Sequence, residues 1–150
     1  MAMILRLRSL SIVSKRFAEI DQLRSLKIDN ALKVKYAMQV LNKHGQIFEV
    51  YPPPKRSMRM KEQSCYANAA SKRSKGYGYV EGVITSKKTG FEISHAWNVD
   101  ADGRHVDFTI METDQYTYLG VVIPWPLISK VAFSTRPMWY TILPYLTPSR

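Results

Sequence analysis

A chain of 150 residues, 45% of them hydrophobic, is long enough for one domain with its own core, and that composition excludes wholesale disorder. Its longest apolar stretches, such as Leu119 to Trp125, are short and broken by charge or proline, so none reaches the roughly 20 apolar residues a membrane helix needs. The net charge of +10 favours polyanionic partners, and a single cysteine excludes an internal disulfide or a multi-cysteine metal site and fits a reducing, cytoplasmic compartment.

Met1 to Phe17 is basic at Arg6, Arg8, Lys15 and Arg16 and has no acidic residue, the composition of an organellar presequence. Arg6 and Arg8 interrupt its apolar run and no small-residue cleavage site follows, so it reads as an N-terminal helix or strand of the domain. Val34, Ala37, Met38 and Leu41 fall at helical spacing and predict an amphipathic helix from Asn30 to Lys43, with Gly45 as its C-terminal cap. Ile47 to Tyr51 predicts a short strand, and Pro52 to Pro54 an extended connection. A basic loop with Lys55, Arg56, Arg59 and Lys61 leads to Ser64, a candidate N-cap. The alanines at 67, 69 and 70 predict a short helix with Cys65 in its first turn, closed between Lys75 and Gly78.

The remainder reads as strands. Tyr77 to Thr85 and Phe91 to Val99 form a hairpin through Ser86 to Gly90. Asp100 to Gly103 turns into a third strand, Arg104 to Ile110, and Tyr118 to Ile123 is a fourth, stopped by Pro124 and Pro126. A terminal segment with Trp139 and Tyr140 packs back on the core. The expected fold is α+β, a Cys-bearing helix packed on an antiparallel β-meander. One domain spans 1–150, with an N-terminal helical part (1–50), a core (60–125) and a C-terminal packing segment (126–150).

A lone thiol becomes a nucleophile when a helix N-terminus or an imidazolium lowers its pKa, and its base comes from elsewhere in the fold. Of the 3 histidines, His44 reads as a capping or surface residue. His95 lies mid-strand in Ser94-His95-Ala96-Trp97-Asn98. Pairing about the turn near Ala101-Asp102 sets it opposite Asp107 or a neighbour, within reach of that carboxylate. His105, placed opposite Trp97 or Asn98 and on the face of Asp107, is a rival base.

Cys65, His95-Ala96-Trp97, Gly103 and Asp107-Phe108-Thr109 together resemble the core of transglutaminase-like enzymes of the papain fold, over about Gln63 to Ile110. That family carries Cys on a helix N-terminus, His on a following strand and Asp on the next. Phe108 stands where the family usually has proline, and Tyr66 where it has Trp. The resemblance implies a papain/transglutaminase-like core and a catalytic triad of Cys65, His95 and Asp107 that needs no cofactor or metal.

Three neighbours have two readings each. Gln63 is either an oxyanion donor beside the Cys65 N–H or a solvated loop residue. Trp97 either lines the cleft or fills the core, and Asn98 either braces the site or makes a strand-edge hydrogen bond. Glu81, an acid in an apolar strand, reads more as facing water than as touching the site. The implied activity is cysteine-dependent acyl transfer (amide hydrolysis, peptide hydrolysis or transamidation) on a protein, peptide or small amide, with the basic loop suited to an acidic or phosphate-bearing substrate. The alternative is a non-catalytic papain-like module whose basic surface holds a polyanion or partner protein. Nucleic acid is a possible partner without a supporting motif.

Overall fold

In a computed structural model, the described residues are 22–23, 30–134 and 141–147; the basic opening segment, Trp139 and Tyr140 lie outside them. In chain order the elements are β1 (Gln22–Leu23), α1 (Asn30–His44), β2 (Gln46–Phe48), β3 (Val50–Tyr51), α2 (Cys65–Ser71), β4 (Gly78–Ser86), β5 (Glu92–Val99), β6 (His105–Val106), β7 (Tyr116–Ile123), α3 (Trp125–Ser134) and β8 (Leu146–Thr147). The protein is thus mixed α+β. β1 pairs with β8, and a mostly antiparallel six-stranded sheet runs β2-β7-β4-β5-β6-β3.

The strand expected over Ile47 to Tyr51 is two strands that end on opposite rims of this sheet. β2 pairs with β7, whereas β3 pairs in parallel with β6. Laid flat, the rims would stand about 24 Å apart, five spacings of roughly 4.8 Å. Only Glu49 separates the two strands, and the two steps from Phe48 to Val50 reach at most about 7 Å. The sheet therefore curls until its rims meet. Phe48 from one rim stacks on His105 from beside the other, with ring centroids 4.0 Å apart.

The closed sheet has an inside and an outside, set by the two-residue alternation of its strands. Val50, Val80, Ile84, Trp97 and Tyr118 pack inside. Outside, Tyr79, Ala96, Val121 and Ile123 pack against Val40 and Leu41 of α1, Ala69 of α2, Ile128 of α3 and Leu143. Gly82 and Gly120 face each other across β4 and β7, with Gly82 also opposite His95. A Cβ on Gly120 would lie 2.4 Å from the Trp97 indole, so bare backbone here leaves room for the largest interior side chain.

Several elements depart from expectation. The buried stripe of α1 is Val40, Leu41 and His44, while Val34 and Met38 face outward; the helix is rotated from the expected face, and His44 is a core residue. Only β4, β5 and β6 form a meander, because β7 crosses back to pair with β4. The third strand shrinks from Arg104–Ile110 to His105–Val106. The prolines after β7 begin a helix rather than simply stopping a strand: Pro126 lies in the first turn of α3, where a missing N–H leaves no intrahelical bond unmade.

Candidate active site

Cys65 is the first residue of α2 and is half-buried. Ser64 precedes it, but its hydroxyl makes no capping bond; its carbonyl accepts the Asn68 N–H at 2.8 Å. Two asparagines tie the helix down. Asn68 Nδ2 donates to Lys61 O at 2.7 Å and to Thr109 Oγ1 at 3.0 Å, joining α2 to the loop after β6. Asn98 Nδ2 donates to Ala69 O and Gly78 O, each at 2.9 Å. Asn98 thereby braces the Cys-bearing helix against β5.

His95 stands inside the barrel, and its Nε2–H donates to Asp107 Oδ2 at 2.7 Å. The pair forms although the register differs from the expected one. β5 meets β6 as Asn98 opposite Val106 and Val99 opposite His105, which leaves Asp107 just beyond the strand. There its N–H donates to Tyr51 O at 2.9 Å, and its Oδ1 accepts the N–H groups of Thr109 (2.8 Å) and Ile110 (3.0 Å). The Tyr118 hydroxyl adds a donor to Oδ2 at 2.8 Å. The carboxylate is held on both oxygens and aimed diagonally at His95.

Burial alone would depress the His95 imidazole. The Asp107 hydrogen bond and charge, with the nearby Cys65 thiol, outweigh it and raise the pKa to about 9. Cys65 is therefore close enough to act on the imidazole, whose Nε2 is committed to Asp107. The structure brings Cys65, His95 and Asp107 into one interacting group.

The rival base is elsewhere in chemistry if not in distance. His105 accepts the Trp97 indole N–H at Nδ1 (2.9 Å) and lies against Phe48, and burial pushes its pKa down to about 4. It is a neutral core residue. Trp97 is 1% exposed and fills the barrel, its ring centroid 6.3 Å from that of His95. Gln63 is exposed, and no side-chain hydrogen bond of its own is found among the described residues. Its backbone lies in the left-handed region at φ 61°, a conformation that costs a non-glycine residue about 1 kcal/mol or more.

Glu81 does not face water. It is fully buried on the outer face of the sheet, where its carboxylate accepts Tyr79 OH (2.8 Å), the Thr141 hydroxyl, and the Ile142 and Leu143 N–H groups (2.8 and 3.1 Å). Burial raises its pKa against those donors. Tyr66 lies between this cluster and the site, its phenol pushed up by burial and by the charges of Glu81 and Cys65.

Tyr118 and Asn68 were not singled out by sequence. Asn68 carried a signal, a polar residue between alanines on the helix that bears Cys65. Tyr118 carried none beyond its place in a strand. It also lines a cleft of about 500 Å³ at the barrel mouth, with Phe48, Tyr51, Met111 and Tyr116. Among the described residues no cluster of three or more His, Cys, Asp or Glu could hold a metal ion, and no helix is long and apolar enough to cross a membrane.

The chain matches no family model, no curated protein and no solved structure.

Proposed function

We propose that the protein is a cysteine-dependent acyl-transfer enzyme with a papain/transglutaminase-like core. The observation that carries this reading is the His95 imidazole bonded to a fourfold-held Asp107 carboxylate while lying within reach of Cys65. In this mechanism the Cys65 thiolate attacks the carbonyl carbon of an amide or thioester, forming a C–S bond. The protonated His95 gives its proton to the leaving nitrogen or sulfur as that bond to carbon breaks. Water or an amine then attacks the acyl-cysteine, and His95 takes its proton. A carboxylic acid or a new amide leaves, and Cys65 is restored. Asp107 keeps the imidazole oriented and stabilises its charged form before and after each proton transfer, and Asn68 and Asn98 act as positioning residues by fixing α2. The exposed basic loop before Cys65 supports an acidic or phosphate-bearing substrate.

Alkylation of Cys65 by iodoacetamide across the pH range tests the proposal. Reactivity should extend well below the free-thiol pKa of roughly 8.5 and should vanish at neutral pH in His95→Ala. Slow alkylation following a free-thiol profile in both proteins would overturn the enzyme and leave a binding module.

A further inference from the structure

Among the described residues the barrel wall is incomplete beside the site. β6 pairs with β5 only at Asn98 and Val99, so no described strand runs along the outer edge of β5 from Glu92 to Trp97. The Ser86 N–H donates to Phe91 O at 2.9 Å, which makes those two a hydrogen-bonded pair. Antiparallel pairs alternate, so Ile93 and His95 also turn their backbone groups toward β4. Glu92, Ser94 and Ala96 turn theirs the other way, where no described backbone group meets them; Ala96 is buried, so the open stretch is Glu92 to Ser94. Glu92 and Ser94 are exposed. Phe91 and Ile93, flanking those residues along the strand, are 74% and 52% exposed. A bare edge flanked by apolar side chains is what proteins ordinarily cover or charge.

Beyond Asp107 the surroundings are basic. The Met60 N–H donates to Phe108 O at 2.7 Å, fastening the loop of Arg59 and Lys61 beside the carboxylate's own turn. The Lys72 ammonium sits 4.1 Å over the Phe108 ring. Glu62 is paired with Arg59, and Glu92, the acid on the open edge, is three residues from His95.

We propose that this edge is the substrate site and that its ligand is an extended, acidic peptide, added to the sheet as a strand beside β5. The inference rests on the acyl-transfer reading above and names its substrate class. The edge offers both N–H and C=O groups on alternate residues, about 7 Å apart along the strand. An extended peptide backbone answers both kinds at that spacing. A phosphate chain only accepts hydrogen bonds and leaves the carbonyls unmet, and a small amide reaches one residue at most. Apolar side chains of the peptide would pack on Phe91 and Ile93, and its acidic ones would meet Lys61 and Lys72. A strand so placed runs past His95 and presents a main-chain or side-chain amide to Cys65.

The test uses the full chain carrying Cys65→Ala, labelled with nitrogen-15, and follows amide hydrogen exchange with and without a degenerate pool of octapeptides rich in Asp, Glu and apolar residues. A second pool is N-methylated at alternate backbone positions. In the chain alone, the Glu92 and Ser94 amides should exchange at least about tenfold faster than those of Ile93 and His95. The first pool should slow Glu92 and Ser94 by about tenfold, less in high salt, and the methylated pool should not. Equal protection of all four amides in the chain alone, no slowing at millimolar peptide, or equal slowing by both pools would overturn the inference. Because Cys65→Ala cannot turn over, this readout is separate from alkylation. A reactive Cys65 without peptide protection removes the peptide site and leaves the enzyme. Peptide protection with a free-thiol alkylation profile removes the enzyme and leaves a peptide-binding edge.

Discussion

Two imidazoles share the barrel interior, His95 at 4% exposure and His105 at 7%, with the Trp97 ring 6.3 Å from one and 6.4 Å from the other. Their burial is alike and their chemistry is opposite, since one pKa is raised to about 9 and the other lowered to about 4. The difference lies in what each ring nitrogen meets. His95 donates a hydrogen bond from Nε2–H to a carboxylate, which favours the cation. His105 receives the Trp97 N–H at Nδ1, which requires a lone pair there and so favours the neutral ring. A buried histidine is held in its charged form by an acidic partner, and one whose ring nitrogen accepts an indole N–H is one more aromatic in the core.

The largest way to break this comparison is Asp107→Asn. The amide oxygen can still accept the Thr109 and Ile110 N–H groups, but it cannot stabilise an imidazolium. Alkylation of Cys65 at neutral pH should fall roughly thousandfold with the fold retained; a loss under about tenfold would mean the carboxylate is not what sets His95 apart.

Stability against pH gives the next effect. His95 has a folded pKa raised from 6.5 to about 9, so its contribution is complete below 6.5 and is lost as pH rises through 9. His105 has one lowered from 6.5 to about 4, so stability is lost as pH falls from 6.5 toward 4. Each limb is worth up to about 3 kcal/mol. Urea unfolding should therefore show greatest stability near neutrality, with His105→Phe flattening the acid limb alone and His95→Phe the alkaline limb alone. The smallest effect is expected of Tyr118→Phe, which removes one of the donors to Asp107. It should cost about 1 kcal/mol in thermal or urea unfolding and less than tenfold in alkylation rate.

The contact of His95 with Asp107 in the candidate site was legible in sequence because local rules fix its parts. Alanines and their neighbours make the helix that starts at Cys65, and Asp102-Gly103 turns β5 into β6, bringing Asp107 near His95 whatever the register by a residue or two. What could not be read is set by distant chain. Glu81 looks solvated until residues 141–143 arrive to donate to it, and nothing near it in sequence announces them. Residues 47–51 look like one strand because alternation does not report which rim a strand joins. The left-handed backbone at Gln63 leaves no trace in a residue type that rarely adopts it.

Glu49 stitches the barrel shut with covalent bonds, since the strands on either side of it reach opposite rims without pairing with each other. That seam cannot unzip. The ladder between β5 and β6 is two residue pairs wide, and the turn through Asp100 and Arg104 joins those strands at one end only. The strand so narrowly paired is the one that carries His95, so anything that adds hydrogen bonds along β5 also stiffens the wall behind the candidate catalytic imidazole.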